Sequence, residues 1–275
     1  MLVKKLKKFV AAKRALALPV TYLILLGSLL VMISITYSFA VTRLGTWGAT
    51  LKVSVARQNM QFLDEAVCNV AWNTGASKIV YMENCGGIFK TDPSAKRLII
   101  NLTDGQAFSA IVFNNTLGKA FYELESSAES YEGLFVKGDS RAIINQTAFT
   151  MTQLYFARSE TSQQIVLSYR PMANALTVCA SNGKPLNLIR IYIISLDESE
   201  TLTMSGSFYL KVSALNTVST AYRYEFNTPV SSLALKASLE GVQTTVWLPI
   251  ESNVEGAYVT LEFLVCNVKI QRVNV

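Results

Sequence analysis

The side chains able to do chemistry in this 275-residue chain are defined first by one that is missing: there is no histidine. That removes Ser-His-Asp and Cys-His nucleophile pairs, HExxH zinc sites and His-ligated haem. Carboxylates and thiols remain. Asp104, Asp139, Asp197 and Glu198 are scattered along the chain, and Asp197-Glu198 with Glu200 reads as a solvated turn. Two distant carboxylates can make a glycosidase and loop carboxylates a calcium site, but no spacing here selects such a set. No catalytic residue, metal ligand or cofactor is expected, and the chain reads as a non-enzyme.

Four cysteines, Cys68, Cys85, Cys179 and Cys266, form no CxxC pair. Their even number suits two disulfides in an oxidising compartment, with three possible connectivities, or four buried thiols. One bridge per half, Cys68–Cys85 and Cys179–Cys266, is the expected pairing. Three tripeptides, beginning at Asn101, Asn114 and Asn145, are N-glycosylation acceptors if that part of the chain lies outside the cell. Lys137-Gly138-Asp139 has the form of an integrin-ligand tripeptide, too short to carry that meaning. Tyr169-Arg170-Pro171 reads as a strand end, because proline cannot donate to a ladder.

These residues depend on elements whose placement follows from charge and periodicity. The net charge is +6, yet the first 14 residues hold Lys4, Lys5, Lys7, Lys8, Lys13 and Arg14 and no acid. The remainder is electrically balanced, so no nucleic-acid partner is implied. Residues 15–42 are free of charge, and as a helix of about 42 Å they exceed the ~30 Å hydrocarbon core. The cations keep the N-terminus cytoplasmic, which places everything after the single-pass span outside the cell membrane. Release by a signal peptidase at Ala40 competes, but the apolar run is longer than a secretory h-region.

Beyond the span, Leu44, Trp47, Leu51, Val55, Phe62, Leu63, Ala66, Val67 and Val70 recur at helical steps, with Lys52, Arg57, Gln58 and Asp64 between them. Asn73-Thr74-Gly75 supplies a stop, and Gly45 and Gly48 mark a place to bend. The expected organisation is a basic leader (1–15), a transmembrane helix (16–42), an amphipathic stalk (43–75) and two β-rich halves (76–160 and 161–275). Strands are expected at 78–82, 97–102, 107–113, 119–124, 164–170, 186–195, 207–213, 221–226, 244–248 and 258–275, as an antiparallel β-sandwich of one large or two small units. In the last strand the apolar phase moves from Val259, Leu261, Phe263 and Val265 to Val268 and Ile270. A one-residue slip near Cys266-Asn267 is therefore expected.

The segment Lys13-Arg14-Ala15-Leu16-Ala17-Leu18-Pro19-Val20 resembles the leader of archaeal type IV pilin-like proteins. The chain as a whole also resembles a group of archaeal membrane-anchored surface proteins. The leader resemblance implies cleavage between Ala15 and Leu16 by a leader peptidase, with Pro19 near the start of the mature helix. It also implies self-assembly through residues 16–72, driven by an assembly ATPase. The expected function is a pilin-like structural surface protein. The alternative is an uncleaved, non-polymerising anchor that holds a β-domain at the cell surface for adhesion or ligand binding.

Overall fold

The computed structural model describes the backbone of residues 2–125, 131–145, 149–159, 162–181 and 183–273, with side chains from Val20 onward except at 179–181. One helix, α1 (Leu2–Val70), opens the chain. Thirteen strands follow: β1 (Ser77–Met82), β2 (Ile88–Thr103), β3 (Ser109–Glu125), β4 (Phe135–Lys137), β5 (Thr152–Arg158), β6 (Ser162–Tyr169), β7 (Met172–Ser181), β8 (Lys184–Ser195), β9 (Thr203–Ser205), β10 (Phe208–Phe226), β11 (Ser232–Leu239), β12 (Val242–Pro249) and β13 (Ala257–Val273). The fold is mainly β with one long N-terminal helix. Residues 1–51 and 52–275 form two compact units.

In the first unit the helix is apolar and exposed from Val20 to Leu51, and long enough to be a candidate membrane span. Gly45 and Gly48 lie inside the uninterrupted helix. Six of its hydroxyls are satisfied within the helix. Ser28, Ser34, Thr36, Thr42, Thr46 and Thr50 each donate to a carbonyl three or four residues back, at 2.8–3.1 Å. The segment therefore offers a surrounding solvent few unpaired donors.

The second unit is two curled sheets and the last turns of α1. One sheet has the order β1-β10-β13-β8-β7, the other β12-β11-β2-β3-β6-β5-β4 with β9 also on β2. Among the described strands the antiparallel expectation holds except at one ladder: β8 and β13 run parallel over ten residue pairs, from Tyr258↔Leu186 to Asn267↔Ser195. Strands from both sides of residue 160 mix in each sheet, since β1 pairs with β10 and β3 with β6. The expected halves 76–160 and 161–275 are therefore one unit.

Two apolar cores result. The first gathers Ala56, Met60, Leu63, Ala66, Val67 and Val70 of α1 against Phe89, Tyr122, Leu167, Leu210, Val268 and Ile270. Burying the four larger helix side chains is worth roughly 6–12 kcal/mol before entropy is counted. The second core is strand on strand: Leu98, Ile100 and Leu102 meet Ile189, Ile191, Ile193, Leu233, Leu235, Val259 and Leu261. Long strands serve both cores by changing phase. On β13 burial alternates through Val259, Leu261 and Phe263, then resumes at Cys266, Val268 and Ile270. The expected slip is there, but the unpaired extra residue is Leu215 on the neighbouring β10. On β2 the break falls between Asp92 and Lys96, where Pro93 sits without a ladder partner.

Helix α1 stops where a stop was expected. Asn73 N–H donates to the Val70 carbonyl, Trp72 adopts φ 71°, and the Gly75 N–H passes to the Ala214 carbonyl of β10.

Candidate functional site

The most concentrated chemistry in the described structure is a buried carboxylate on α1. Asp64 lies between Met60 and Val67 on the inward stripe, and its side chain is 2% exposed. Its Oδ1 accepts from Thr152 Oγ1 of β5 at 2.7 Å, from Tyr169 Oη of β6 at 3.0 Å and from the Cys68 thiol at 3.5 Å. Its Oδ2 accepts from Lys137 Nζ of β4 at 2.5 Å. A carboxylate has about four lone-pair sites; here three donors share Oδ1 and one binds Oδ2. The carboxylate is thus committed mainly to internal donors. Its chemical effect is to fix one turn of helix to three strands.

The thiol beside it is held in its protonated form. Burial, and then the Asp64 charge, push the Cys68 pKa to about 11, so it is almost wholly protonated at neutral pH. Burial and the same carboxylate raise the Tyr169 phenol well above its ordinary value. Burial works against the Lys137 ammonium, but its hydrogen bond and charge pairing with Asp64 prevail, and its pKa rises. A second tether lies one turn earlier. Asn59 donates to the Glu83 carbonyl at 2.8 Å and to Tyr122 Oη at 3.3 Å, and accepts from the Glu83 N–H at 3.1 Å. An open groove of about 390 Å³ along α1 is lined by Asp64 itself with Arg57, Gln58, Gln61, Glu65 and Lys137. Its walls carry both signs of charge.

Every residue of Lys137-Gly138-Asp139 has an internal task. Gly138 adopts φ +81°, and a Cβ there would run into the Thr152 carbonyl. Asp139 receives Arg141 and the fully buried guanidinium of Arg170. Arg170 also donates to the carbonyls of Thr150, Asp139 and Arg141. The hydrogen bond from Arg141, reinforced by Arg170, holds the Asp139 carboxyl far below its ordinary value. Arg170 follows β6, as expected of a strand end, but it clamps the loop ahead of β5 rather than facing solvent.

A third polar cluster has a Ser–Lys juxtaposition. Lys96 Nζ donates to Tyr155 Oη at 3.0 Å, to Ser168 Oγ at 3.1 Å and to Glu240 at 2.9 Å. All three ammonium protons are used, and Ser168 is sealed from solvent at 0% exposure. A small cavity of about 150 Å³ adjoins Lys96 and Ser140, and Ser168 does not line it.

The residues singled out in the sequence lie apart from these clusters. Lys13, Arg14, Ala15, Leu16 and Pro19 are helical in backbone, and their side chains fall outside the described residues. Asn114 is exposed on β3, accepting from Arg97 Nε at 3.0 Å. Asn101 on β2 exchanges hydrogen bonds with Ser109, and Asn145 donates to the Trp247 carbonyl at 3.4 Å. Gln146 and Thr147, which complete that third acceptor, are outside the described residues.

The expected disulfides are not formed: Cys68, Cys85 and Cys266 are free thiols. Their surroundings explain this. Cys68 faces Asp64 and Thr152, Cys85 is buried beside Tyr122 in the first core, and Cys266 accepts the Trp72 N–H at 3.4 Å. The Cys179 side chain is outside the described residues. Among the described residues the scattered acids form no metal-holding group. Asp104 instead caps its own turn through the Gln106 and Phe108 N–H groups, which lowers its pKa.

Asp64 was placed between the apolar positions of the stalk; it belongs among them. The signal lay in its i−4 and i+3 spacing from Met60 and Val67. Comparison with protein-family models, curated proteins and solved structures finds no match.

Proposed function

We propose that this chain is a membrane-anchored structural protein of an archaeal cell surface, built on the type IV pilin plan. Its basic leader is cytoplasmic, the charge-free part of α1 spans the membrane, and residues 52–275 stand outside as a non-enzymatic β-domain. The observation that carries the reading is the exposed apolar helix whose hydroxyls bond back onto its own carbonyls. Such a surface suits a hydrocarbon phase or the apolar centre of a helical bundle, where polar groups must be satisfied internally.

In this reading a leader peptidase cuts between Ala15 and Leu16. An assembly ATPase then drives residues 16–72 of successive copies into a shared helical core. The helix needs a firm mechanical link to the domain it carries, and the four-donor Asp64 staple supplies one within residues 52–275. Asn114, exposed on β3, is the acceptor best placed for a glycan.

The deciding experiment is mass spectrometry of the mature N-terminus in membrane and sheared-surface fractions. A terminus at Leu16 is expected. A terminus at Met1 would make the helix a permanent anchor, and the protein a surface-displayed β-domain for adhesion or ligand binding.

A further inference from the structure

Strand β10 is bordered by β1 only as far as Ser213, with Ala214 held by Gly75 and Ala76. Among the described residues, from Leu215 to Phe226 its ladder partner is β13 alone, so the opposite edge is open for twelve residues. Residues 215–223 are exposed on both faces. The inward face is unusual. Val218, Thr220 and Tyr222 share it with their cross-strand partners Val265, Phe263 and Leu261. Phe263 and Leu261 are buried, whereas Val218 and Tyr222 are each 46% exposed. Along residues 215–223 the second core therefore ends one strand short of the sheet edge, reaching β10 only at Tyr224 and Phe226.

Proteins ordinarily guard such an edge with lysine, proline, shortness or a covering loop. The other edges here have those guards. Strand β4 is three residues long, β1 is six and carries Lys78, β12 ends in Pro249 and is overlaid by Ala142 and Asn145, and β7 is covered at its start by Ile144. Residues 215–222 of β10 contain neither charge nor proline. The two charges that follow are already engaged: Arg223 stacks over Tyr258 at 4.5 Å and Glu225 pairs with Lys184 at 2.7 Å.

We propose that this edge binds the same edge of a second copy of the chain, antiparallel about a two-fold axis at Thr220. The strand is complementary to itself in that register. Val218 falls opposite the second copy's Tyr222, and Tyr222 opposite its Val218, giving two aromatic–β-branched pairs on the uncovered inward face. Thr220 meets Thr220, Ser219 meets Ala221, and no like charges oppose. Residues 216–224 pair over a length that ends before β1 begins. The two five-stranded sheets become one, and both exposed ends of the second core are covered by the same contact. The inference does not depend on the anchor being cleaved or on filament formation.

The test is disulfide trapping in the full chain, solubilised in detergent. Directly opposite residues of an antiparallel pair have Cα atoms about 4.5–5.5 Å apart, within disulfide reach. Residues displaced by two positions are about 8 Å apart and beyond it. Thr220→Cys is expected to give a reducible dimer under mild oxidation, whereas Ser219→Cys stays at the background of the unmodified chain. Adding Val218→Lys to Thr220→Cys is expected to abolish the dimer. Absence of the Thr220→Cys dimer would overturn the proposal. So would equal trapping at both positions, which is what collisions of anchor helices produce. A ladder of trimers and longer species would also overturn it, in favour of head-to-tail pairing of β10 with β7.

Discussion

The two cores of residues 52–275 solve different problems with different chemistry. The second is apolar throughout, mostly aliphatic side chains from facing strands with a few rings such as Phe226 and Phe263, and its register is already set by the ladders that bring those strands together. The first must fix a helix that has no ladder to hold it. A helix lying on an apolar surface can slide or turn by one residue at little cost, because apolar contact is non-directional. Directional groups remove that freedom: Asp64 binds β4, β5 and β6 at once, and Asn59 grips the backbone beyond β1. Buried polar groups here supply position where strand pairing cannot, a role they serve in other helical contacts.

The largest effect expected from this contrast comes from Asp64→Ala. It leaves Tyr169 and Thr152 hydroxyls buried without their acceptor and Lys137 without its partner, at a cost of about 3–5 kcal/mol. Urea unfolding of the detergent-solubilised chain reads the loss as a shift in midpoint. Leu261→Ala in the second core removes a fully buried side chain and is expected to cost about 2–4 kcal/mol. The two differ further in what survives. The Leu261 variant keeps α1 docked, whereas the Asp64 variant exposes residues 56–70 to faster amide exchange than the strands. Equal exchange in both variants would erase the distinction between the cores.

A finer cut separates charge from contact. Tyr169→Phe deletes one of four donors to Asp64 and leaves the other three, so about 1–2 kcal/mol is expected. In the Asp64→Ala background the same substitution removes a hydroxyl that has already lost its acceptor, and costs less. A double-mutant cycle on unfolding midpoints gives the coupling. Additive losses would show that the phenol acts through packing alone.

How much of this could be read in advance varies with the kind of signal. The helix and its end at residues 70–75 were legible because period, charge and stop residues agreed. The phase change on β13 was legible too, since alternation registers which face is buried; the residue that accommodates it, Leu215, lies on another strand and left no mark. Strand β10 reads as two pieces, 207–213 and 221–226, because the stretch between them is exposed on both faces and has nothing to alternate. Strand β11, Ser-Leu-Ala-Leu-Lys-Ala-Ser-Leu, buries Leu233, Ala234 and Leu235 in succession and has a helix-like composition, so no strand was expected there. The Asp64 staple was half legible. Stripe arithmetic points Asp64 inward, but its donors come from positions 68, 137, 152 and 169, and only the fold brings them together. The cysteines show the opposite failure, since an even count said nothing of the separate places, one exposed and two buried, in which three of them sit.

The smallest expected effect is one of pH, on the loop that borders the second core. Arg141, and with it Arg170, holds the Asp139 carboxyl well below its ordinary value of 3.8. Between those two values the unfolded chain binds a proton that the folded chain does not. The stabilisation from Asp139 is therefore complete above the ordinary carboxyl range and drains away as pH falls through it. The carboxylate is 36% exposed, which limits the gain to about 1 kcal/mol. Asp139→Asn is expected to be slightly less stable than the native chain at pH 7, with the difference shrinking toward pH 3 in parallel urea titrations. Arg170 sets the alternative outcome. Its guanidinium also binds three backbone carbonyls, and if these alone hold the loop, the Asn variant will follow the native chain at every pH. In that case the loop at the second core would be fixed by neutral backbone contacts, and buried charge would be a positioning device of the helix-bearing core alone.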